Sequence, residues 1–402
     1  MTSTTILNTT KNNQGWVDSP PTAVLVLANK KIIKGKGFGS TGISAGEICF
    51  NTAMSGYQEI MTDPSYSGQI VTFTFPHIGN VGVNTEDIES TNLPTNTGVK
   101  GCILRGDITS PSNYRANGAL NAWLERNNII GICDVDTRAL TAYIRKKGMI
   151  NAVIAHNPAG EFDLEYLKET AANHPSLEGM DLAKDVSCTQ AYEWNQGKWS
   201  WPNGFDKNTS TELHIVAIDY GLKHNILRCL ATSGCRITVV PATASIDDIV
   251  SKQPDGIFLS NGPGDPAATG EYTVPVIKNL ITLGYPIFGI CLGHQMLALA
   301  LGAKTKKMHQ GHHGANHPVK DFTTSKVEIT SMNHGFTVDR DSLPENVEET
   351  HISLFDNSNC GIRLKDKPVF SVQHHPEASP GPQDSHYLFN RFVDMMKEYK
   401  VG

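Results

Sequence analysis

The chemical capacity of the chain is concentrated in Pro286-Ile287-Phe288-Gly289-Ile290-Cys291-Leu292-Gly293-His294-Gln295-Met296-Leu297-Ala298. A short apolar run, a cysteine flanked by glycines and a second apolar run of strong helix formers predict strand, sharp turn and helix, with the thiol at the turn. A sulfur so placed projects from the carboxyl end of a buried strand onto the amino end of a helix, where free N–H groups and the helix dipole favour a negatively charged nucleophile. Gly289 and Gly293 are the small neighbours that a strained turn and a close substrate need. Two other segments supply what a thiolate lacks. Val369-Phe370-Ser371-Val372-Gln373-His374-His375-Pro376-Glu377 is a strand running into a histidine, a proline and a carboxylate. His375 is placed as a general base and Glu377 as the group that fixes its tautomer, because Pro376 turns the chain between them. Gly256-Ile257-Phe258-Leu259-Ser260-Asn261-Gly262-Pro263-Gly264-Asp265-Pro266 is a strand that ends in a glycine-rich loop whose N–H groups suit a developing oxyanion. Each piece alone has an ordinary explanation: a buried thiol, a surface histidine, a tight loop. All three at strand ends in one half of the chain point to nucleophilic acyl chemistry.

The elements that must position these groups alternate in the carboxyl-terminal half. Ile215 to Tyr220 reads as a strand, Lys223 to Ser233 as a helix ending at Gly234, and Arg236 to Val240 as a strand. Another helix, the strand at Gly256 to Leu259, a helix through Leu283 and the cysteine strand follow. Such a rhythm predicts a parallel sheet with helices on both faces and sites at the carboxyl ends of its strands. The amino-terminal half lacks the rhythm. Strands are expected at Ala23 to Ala28, Gly46 to Thr52, Gln69 to Phe75 and Ile129 to Val135, with the glycine-laced Lys34 to Ser40 as a turn region. Helices are expected from Ala116 to Asn127 and from Asp136, a capping residue, to Lys147 with Gly148 as its stop. The fold class expected is α/β with two domains: an α+β domain over 22–187 and a doubly wound, mostly parallel-sheet domain over 212–402, with a flexible extension at 1–21. A linker at 188–211 holds Trp194, Trp199 and Trp201, and aromatics of that size usually bury some surface.

A chain of 402 residues exceeds the usual single-domain size. Its net charge of -6 with no basic run argues against nucleic-acid binding, and no apolar stretch is long enough to span a bilayer. Eight cysteines without C-x-x-C spacing fit the reduced thiols of a cytoplasmic protein. Met1 to Pro20 lacks the apolar core of a secretory signal and the arginines of a transit peptide. No phosphate-binding G-x-x-x-x-G-K-[ST] occurs, so no nucleotide site is expected. His309, His312, His313 and His317 form the densest histidine cluster, but without H-E-x-x-H or a cysteine pair they are expected in a structural loop near the site, and no metal is expected.

Gly289-Ile290-Cys291-Leu292-Gly293-His294-Gln295, Ser260-Asn261-Gly262-Pro263-Gly264-Asp265-Pro266 and His375-Pro376-Glu377 resemble the three motifs of class I (triad) glutamine amidotransferases. Phe50-Asn51-Thr52-Ala53-Met54-Ser55-Gly56-Tyr57-Gln58-Glu59, Thr62-Asp63-Pro64-Ser65-Tyr66, Phe75-Pro76-His77-Ile78-Gly79-Asn80, Gly179-Met180-Asp181-Leu182-Ala183 and Asn333-His334-Gly335-Phe336 are similar to the small-chain family of carbamoyl-phosphate synthases. The resemblance runs from about Thr22 to the carboxyl end. It implies glutamine hydrolysis by Cys291, His375 and Glu377, with L-glutamine held by Ser65, Gly262, Gly264, Leu292, Gln295, Asn333, Gly335 and Phe336. It also implies a heterodimer, or a higher oligomer of heterodimers, with a large synthetase subunit that uses ATP and magnesium, no cofactor on this chain, and a place in arginine and pyrimidine synthesis. His374 departs from the pattern, in which a glycine or an aromatic residue is expected; spacing to Pro376-Glu377 favours His375 as the base. An independent thiol hydrolase is opposed by the Gly-Pro-Gly loop and the first domain. A lapsed, regulatory glutaminase is opposed by the presence of all three triad residues.

Overall fold

The apolar run of β1 (Ala23–Leu27) is buried along its whole length because it closes a barrel. In this computed structural model, which describes residues 20–90, 98–207, 212–379 and 381–400, β1 is followed by β2 (Ile32–Gly39), β3 (Gly42–Asn51), β4 (Gln69–Phe73), β5 (Gly101–Ile103), β6 (Ile130–Cys133) and β7 (Asn151–His156). The barrel order is β1-β2-β6-β5-β4-β3-β7. Pairs β3–β4, β4–β5 and β5–β6 are parallel and the others antiparallel, which is why no simple rhythm shows in this half. Lys34 to Ser40, expected as a turn region, is instead most of β2. A Cβ at Gly35 would lie 2.2 Å from the Cys133 carbonyl oxygen, and one at Gly37 2.0 Å from the His156 ring, so these glycines serve close strand contact. Helices α1 (Tyr57–Thr62), α2 (Leu120–Arg126), α3 (Thr137–Lys147), α4 (Leu164–Asn173) and α5 (Ala183–Val186) complete this half. Asp136 caps α3 by accepting from Ala139 N at 3.0 Å, and Gly148 ends it at φ 87°.

The second half contains β8 (Tyr192–Trp194), β9 (Gln196–Ser200), β10 (Gly204–Lys207), β11 (Leu213–Asp219), α6 (His224–Thr232), β12 (Cys235–Pro241), α7 (Ile246–Val250), β13 (Gly256–Leu259), α8 (Pro266–Thr282), β14 (Ile287–Ile290) and α9 (Leu292–Leu301). After these come β15 (Thr305–Asp321), β16 (Val327–Val338), β17 (Val347–Ser353), β18 (Asn359–Leu364), β19 (Val369–Val372) and α10 (Leu388–Lys400). The large sheet has the order β16-β15-β17-β18-β19-β14-β13-β11-β12-β8. It is parallel from β12 to β19, where the βαβ rhythm was legible, and antiparallel from β19 through β16. The sheet is thus mixed rather than mostly parallel. Successive residues of β11 point to opposite faces: Val216 and Ile218 join α7, α8 and α9 in one core, while Ile215 and Ala217 join α6 and α10 in another. The second core contains Phe288 stacked on Phe370 with ring centroids 4.5 Å apart.

Two expectations change here. The segment expected as a linker adds β8 antiparallel to β12, and Trp201 stays 67% exposed. The histidine-rich segment expected as a loop is part of β15, whose pairing with β16 shifts register between Lys307 and His312 and between Gly314 and His317. Those bulges break the period-2 alternation by which a strand is recognised. Among the described residues no helix is long and apolar enough to cross a membrane.

Candidate active site

Parallel packing brings the carboxyl ends of β11, β13, β14 and β19 side by side, and each delivers one part of the site. At the end of β14, Cys291 is buried with φ 54° and ψ −105° and forms the N-cap of α9. A β-carbon in that left-handed region is strained by about 1–3 kcal/mol, so the sulfur is held in place by its surroundings. Those surroundings are crowded backbone: a Cβ at Gly289 would lie 2.7 Å from the Gly293 carbonyl oxygen, and one at Gly293 2.1 Å from that of Leu259. Cys291 N donates to Val372 O at 3.0 Å, which ties the elbow to β19. Leu292 is the first helical residue, so its N–H has no acceptor within α9 and remains available to an anion.

At the end of β19, His375 Nδ1 lies 2.7 Å from Glu377 Oε1. The same carboxylate oxygen accepts from Lys223 Nζ at 2.9 Å, with both side chains buried. Lys223 comes from the end of β11. Burial opposes charge on each member, but their mutual attraction prevails. Glu377 and Cys291 push the His375 imidazole up to about 10. Lys223 and His375 hold the Glu377 carboxyl well below its usual range, and Glu377, Glu89 and Asp63 keep the Lys223 ammonium charged. The other ring nitrogen, Nε2, is buried with no oxygen or nitrogen partner; the ring interacts instead with the Cys291 thiol, the group with which a base here exchanges its proton. His374 differs in every respect. Both of its ring nitrogens are buried without partners, its ring lies 5.6 Å from that of His351, and burial holds it neutral.

A cavity of about 30 Å³ joins Cys291 to Ser65, Gly262, Gly264, Gln295, Asn333, Gly335 and Phe336. Of the residues expected to hold substrate, only Leu292 is off its wall; its side chain packs into the core. Ser65 reaches the site from the barrel half. Asp63 turns the chain by accepting from Ser65 N at 2.8 Å, and Asn261 Nδ2 donates to Ser65 Oγ at 2.9 Å. Asn333 Nδ2 donates to Asp63 Oδ2 at 3.2 Å, and Gln295 Nε2 donates to Phe336 O at 2.7 Å. A second cavity of about 40 Å³, lined in part by His375, Lys223, Asp63, Glu59 and Gly381, shares Asn333 with the first. Cys291 and His375 thus line adjacent cavities. Reading the sequence did not find Lys223, Asp63, Glu47 or Asn261 as site residues. The one signal for Lys223 is a lysine just past a strand of the parallel sheet.

The site has no set of metal ligands. Among the described residues, three ligand atoms come within 4.8 Å of one another only at Asp107, Cys133 and Asp134. There Lys36 Nζ already lies 2.9 Å from Asp134 Oδ2, and burial pushes the Cys133 thiol up to about 12. His312 is instead paired with Asp356 at 3.0 Å and His313 with Asn333 at 2.8 Å.

A thiol at a strand-to-helix elbow, an imidazole held by a carboxylate and a glycine loop beside them are the parts of a class I glutamine amidotransferase, and residues 216–395 match the Glutamine amidotransferase class-I family model. Residues 25–154 match the Carbamoyl-phosphate synthase small chain, CPSase domain. The chain is 64% identical over 389 residues (97% of this chain, 98% of the relative) to the carbamoyl phosphate synthase small chain of Bradyrhizobium diazoefficiens. It is 63% identical to those of Mesorhizobium japonicum, over 95% of this chain and 96% of the relative, and Rhizobium meliloti, over 96% of each. The chain belongs to the carbamoyl phosphate synthase small chain family.

Proposed function

We propose that the chain hydrolyses L-glutamine through a thioester on Cys291 and delivers ammonia to a large synthetase subunit, with which it forms a cytoplasmic heterodimer. The observation that carries this reading is the buried array Lys223–Glu377–His375 with its charge coupled to Cys291 at a strained elbow. Glutamine sits among Ser65, Gly262, Gly264, Leu292, Gln295, Asn333, Gly335 and Phe336. Cys291 Sγ attacks the side-chain amide carbon with the proton of the Cys291–His375 pair carried on the imidazole. The N–H groups of Leu292 and of the Gly262 to Gly264 loop stabilise the oxyanion. The C–N bond breaks as His375 protonates the leaving nitrogen, and ammonia departs through the second cavity. Water, deprotonated by His375, then attacks the thioester carbon, releasing glutamate and restoring the thiol. Glu377, itself held by Lys223, orients the imidazole throughout.

This chain uses no cofactor in that sequence. ATP and magnesium act on the large subunit, which makes carbamoyl phosphate from bicarbonate for arginine and pyrimidine synthesis. A 30 Å³ cavity has room for about two waters, so admission of glutamine requires the walls to part, and we assign that opening to the large subunit. The test is glutamate release by the chain alone and with the large subunit, bicarbonate and ATP. We expect roughly a hundredfold rise, the worth of one oxyanion donor brought into place, with carbamoyl phosphate formed from glutamine. Absence of glutamate release in both conditions would refute the reading.

A further inference from the structure

Hydrolysis of the amide gives no role to the one carboxylate that, among the described residues, lines the Cys291 cavity. Glu47, on β3, is 2% exposed and lines that cavity. Its Oε2 is held by Lys307 Nζ at 2.6 Å, across the junction between the barrel and the large sheet. Its Oε1 is buried with no hydrogen-bond partner. A tether between the two halves accounts for Oε2 and leaves Oε1 unexplained. A carboxylate oxygen removed from water is costly until something donates to it.

Among the described residues that line this cavity, Glu47 is the only carboxylate. The remaining wall is glycines, apolar side chains, hydroxyls, amides, the Cys291 thiol and the imidazoles of His313 and His334, both held neutral chiefly by burial. A free amino acid brings an α-ammonium into this space, and a cation there needs an acceptor with free lone pairs. We propose that Glu47 receives the α-ammonium group of the substrate on Oε1 and so selects a free α-amino acid over other primary amides. The proposal rests on the glutamine-hydrolysis reading. Lys307 engages the other carboxylate oxygen, Oε2, and its ammonium also donates to Ser176 Oγ at 2.8 Å.

The test measures ammonia release from glutamine and from glutaramate, which lacks only the α-amino group, by the chain in complex with its large subunit. The wild type should strongly prefer glutamine. Glu47→Gln should cut that preference in kcat/KM by about 10- to 150-fold, the worth of a hydrogen bond to a charged group. The loss should appear in KM for glutamine, with glutaramate turnover unaltered. Lys307→Met, which breaks the tether and keeps the carboxylate, should hold the preference within about threefold of wild type. Should Glu47→Gln fail to accumulate as folded protein, Glu47→Asp, which draws the charge back by one methylene, is read by the same ratio. Equal losses on both amides, or an unchanged ratio, would overturn the assignment and leave Glu47 a tether. A wild-type complex inactive on glutamine would instead overturn the reading beneath it.

Discussion

Two regions of the molecule bury histidines alike and leave them in different charge states, one charged and the others neutral. At the carboxyl end of β19, His375 is pushed up to about 10. In the interior that α9 and the antiparallel strands share, burial holds His294 and His317 down at about 3 and His313 and His351 at about 4. Burial opposes charge in all five, so it cannot be what separates them. Contact with a carboxylate, seconded by the Cys291 thiol, separates them. His375 Nδ1 is 2.7 Å from Glu377, whereas His351 Nε2 is 3.8 Å from Asp321, too far for a hydrogen bond. Asp321 is also occupied by Thr323, Thr324 and Tyr387. Among these five imidazoles, the charged one is the one with a carboxylate in contact.

The most severe break in the charged region removes the nucleophile. Cys291→Ser should lower glutamine-dependent carbamoyl phosphate synthesis by about 10⁴-fold or more, since catalytic units fail together when the nucleophile is lost. Synthesis from added ammonia should persist. Assaying the complex with each nitrogen donor checks this, and retained glutamine use would remove Cys291 from its role.

Exchange of the two adjacent histidines comes next. His375→Asn should cost about 10²- to 10⁴-fold in glutamine turnover. His374→Phe should stay within about tenfold, because neither of its nitrogens makes a hydrogen bond that the change would break. The opposite ranking in steady-state glutamate release would move the base to His374.

The tandem histidines also show how far the sequence could be read. Cys291, His375 and Glu377 were legible because each sits at a strand end inside a short local motif. The parallel half of the sheet was legible because βαβ units repeat along the chain. Lys223 and Glu47 were not, because their roles exist only after strands distant in sequence are laid side by side. Ser65 came from resemblance alone, and its position depends on a hydrogen bond from Asn261 in the other half. The barrel mixes parallel and antiparallel pairs over short strands, and the bulges of β15 hide its alternation, so periodicity had little to act on in either.

A smaller effect should follow from the far end of the array. Lys223→Met leaves Glu377 buried with one cationic partner in place of two. Breaking a buried pair in this way costs about 3–5 kcal/mol, and glutamine turnover should fall about tenfold as the imidazole loses its fixed orientation. Urea unfolding with an unchanged m-value would report the first, and glutamate release the second. Unaltered stability would mean that Lys223 is dispensable to the charge balance.

The last and smallest effect separates the two regions by pH. A histidine held below its ordinary value in the folded chain takes up its proton first in the unfolded chain. His294, His313, His317 and His351 therefore make stability fall as pH drops from about 6.5 toward 4. The sign is reversed for His375: its folded value is raised, so its contribution is full below about 6.5 and is lost as pH rises toward 10. Glu377 is depressed, so its contribution is full above about 4.5 and is lost only as pH falls further. Between pH 4.5 and 6.5 the charged array changes little, and the neutral imidazoles, each worth up to about 1.4 kcal/mol per pH unit, lower stability on acidification against the opposite pull of Glu59, whose carboxyl burial pushes up to about 8. His374 is also held well below its ordinary value, so His374→Phe should flatten the slope by about one proton. His375→Asn should leave the acid slope intact and abolish its share of the alkaline loss. Urea unfolding at half-unit steps of pH measures both slopes. If His375→Asn were the variant that flattened the acid limb, the assignment of charge to one region and neutrality to the other would be reversed.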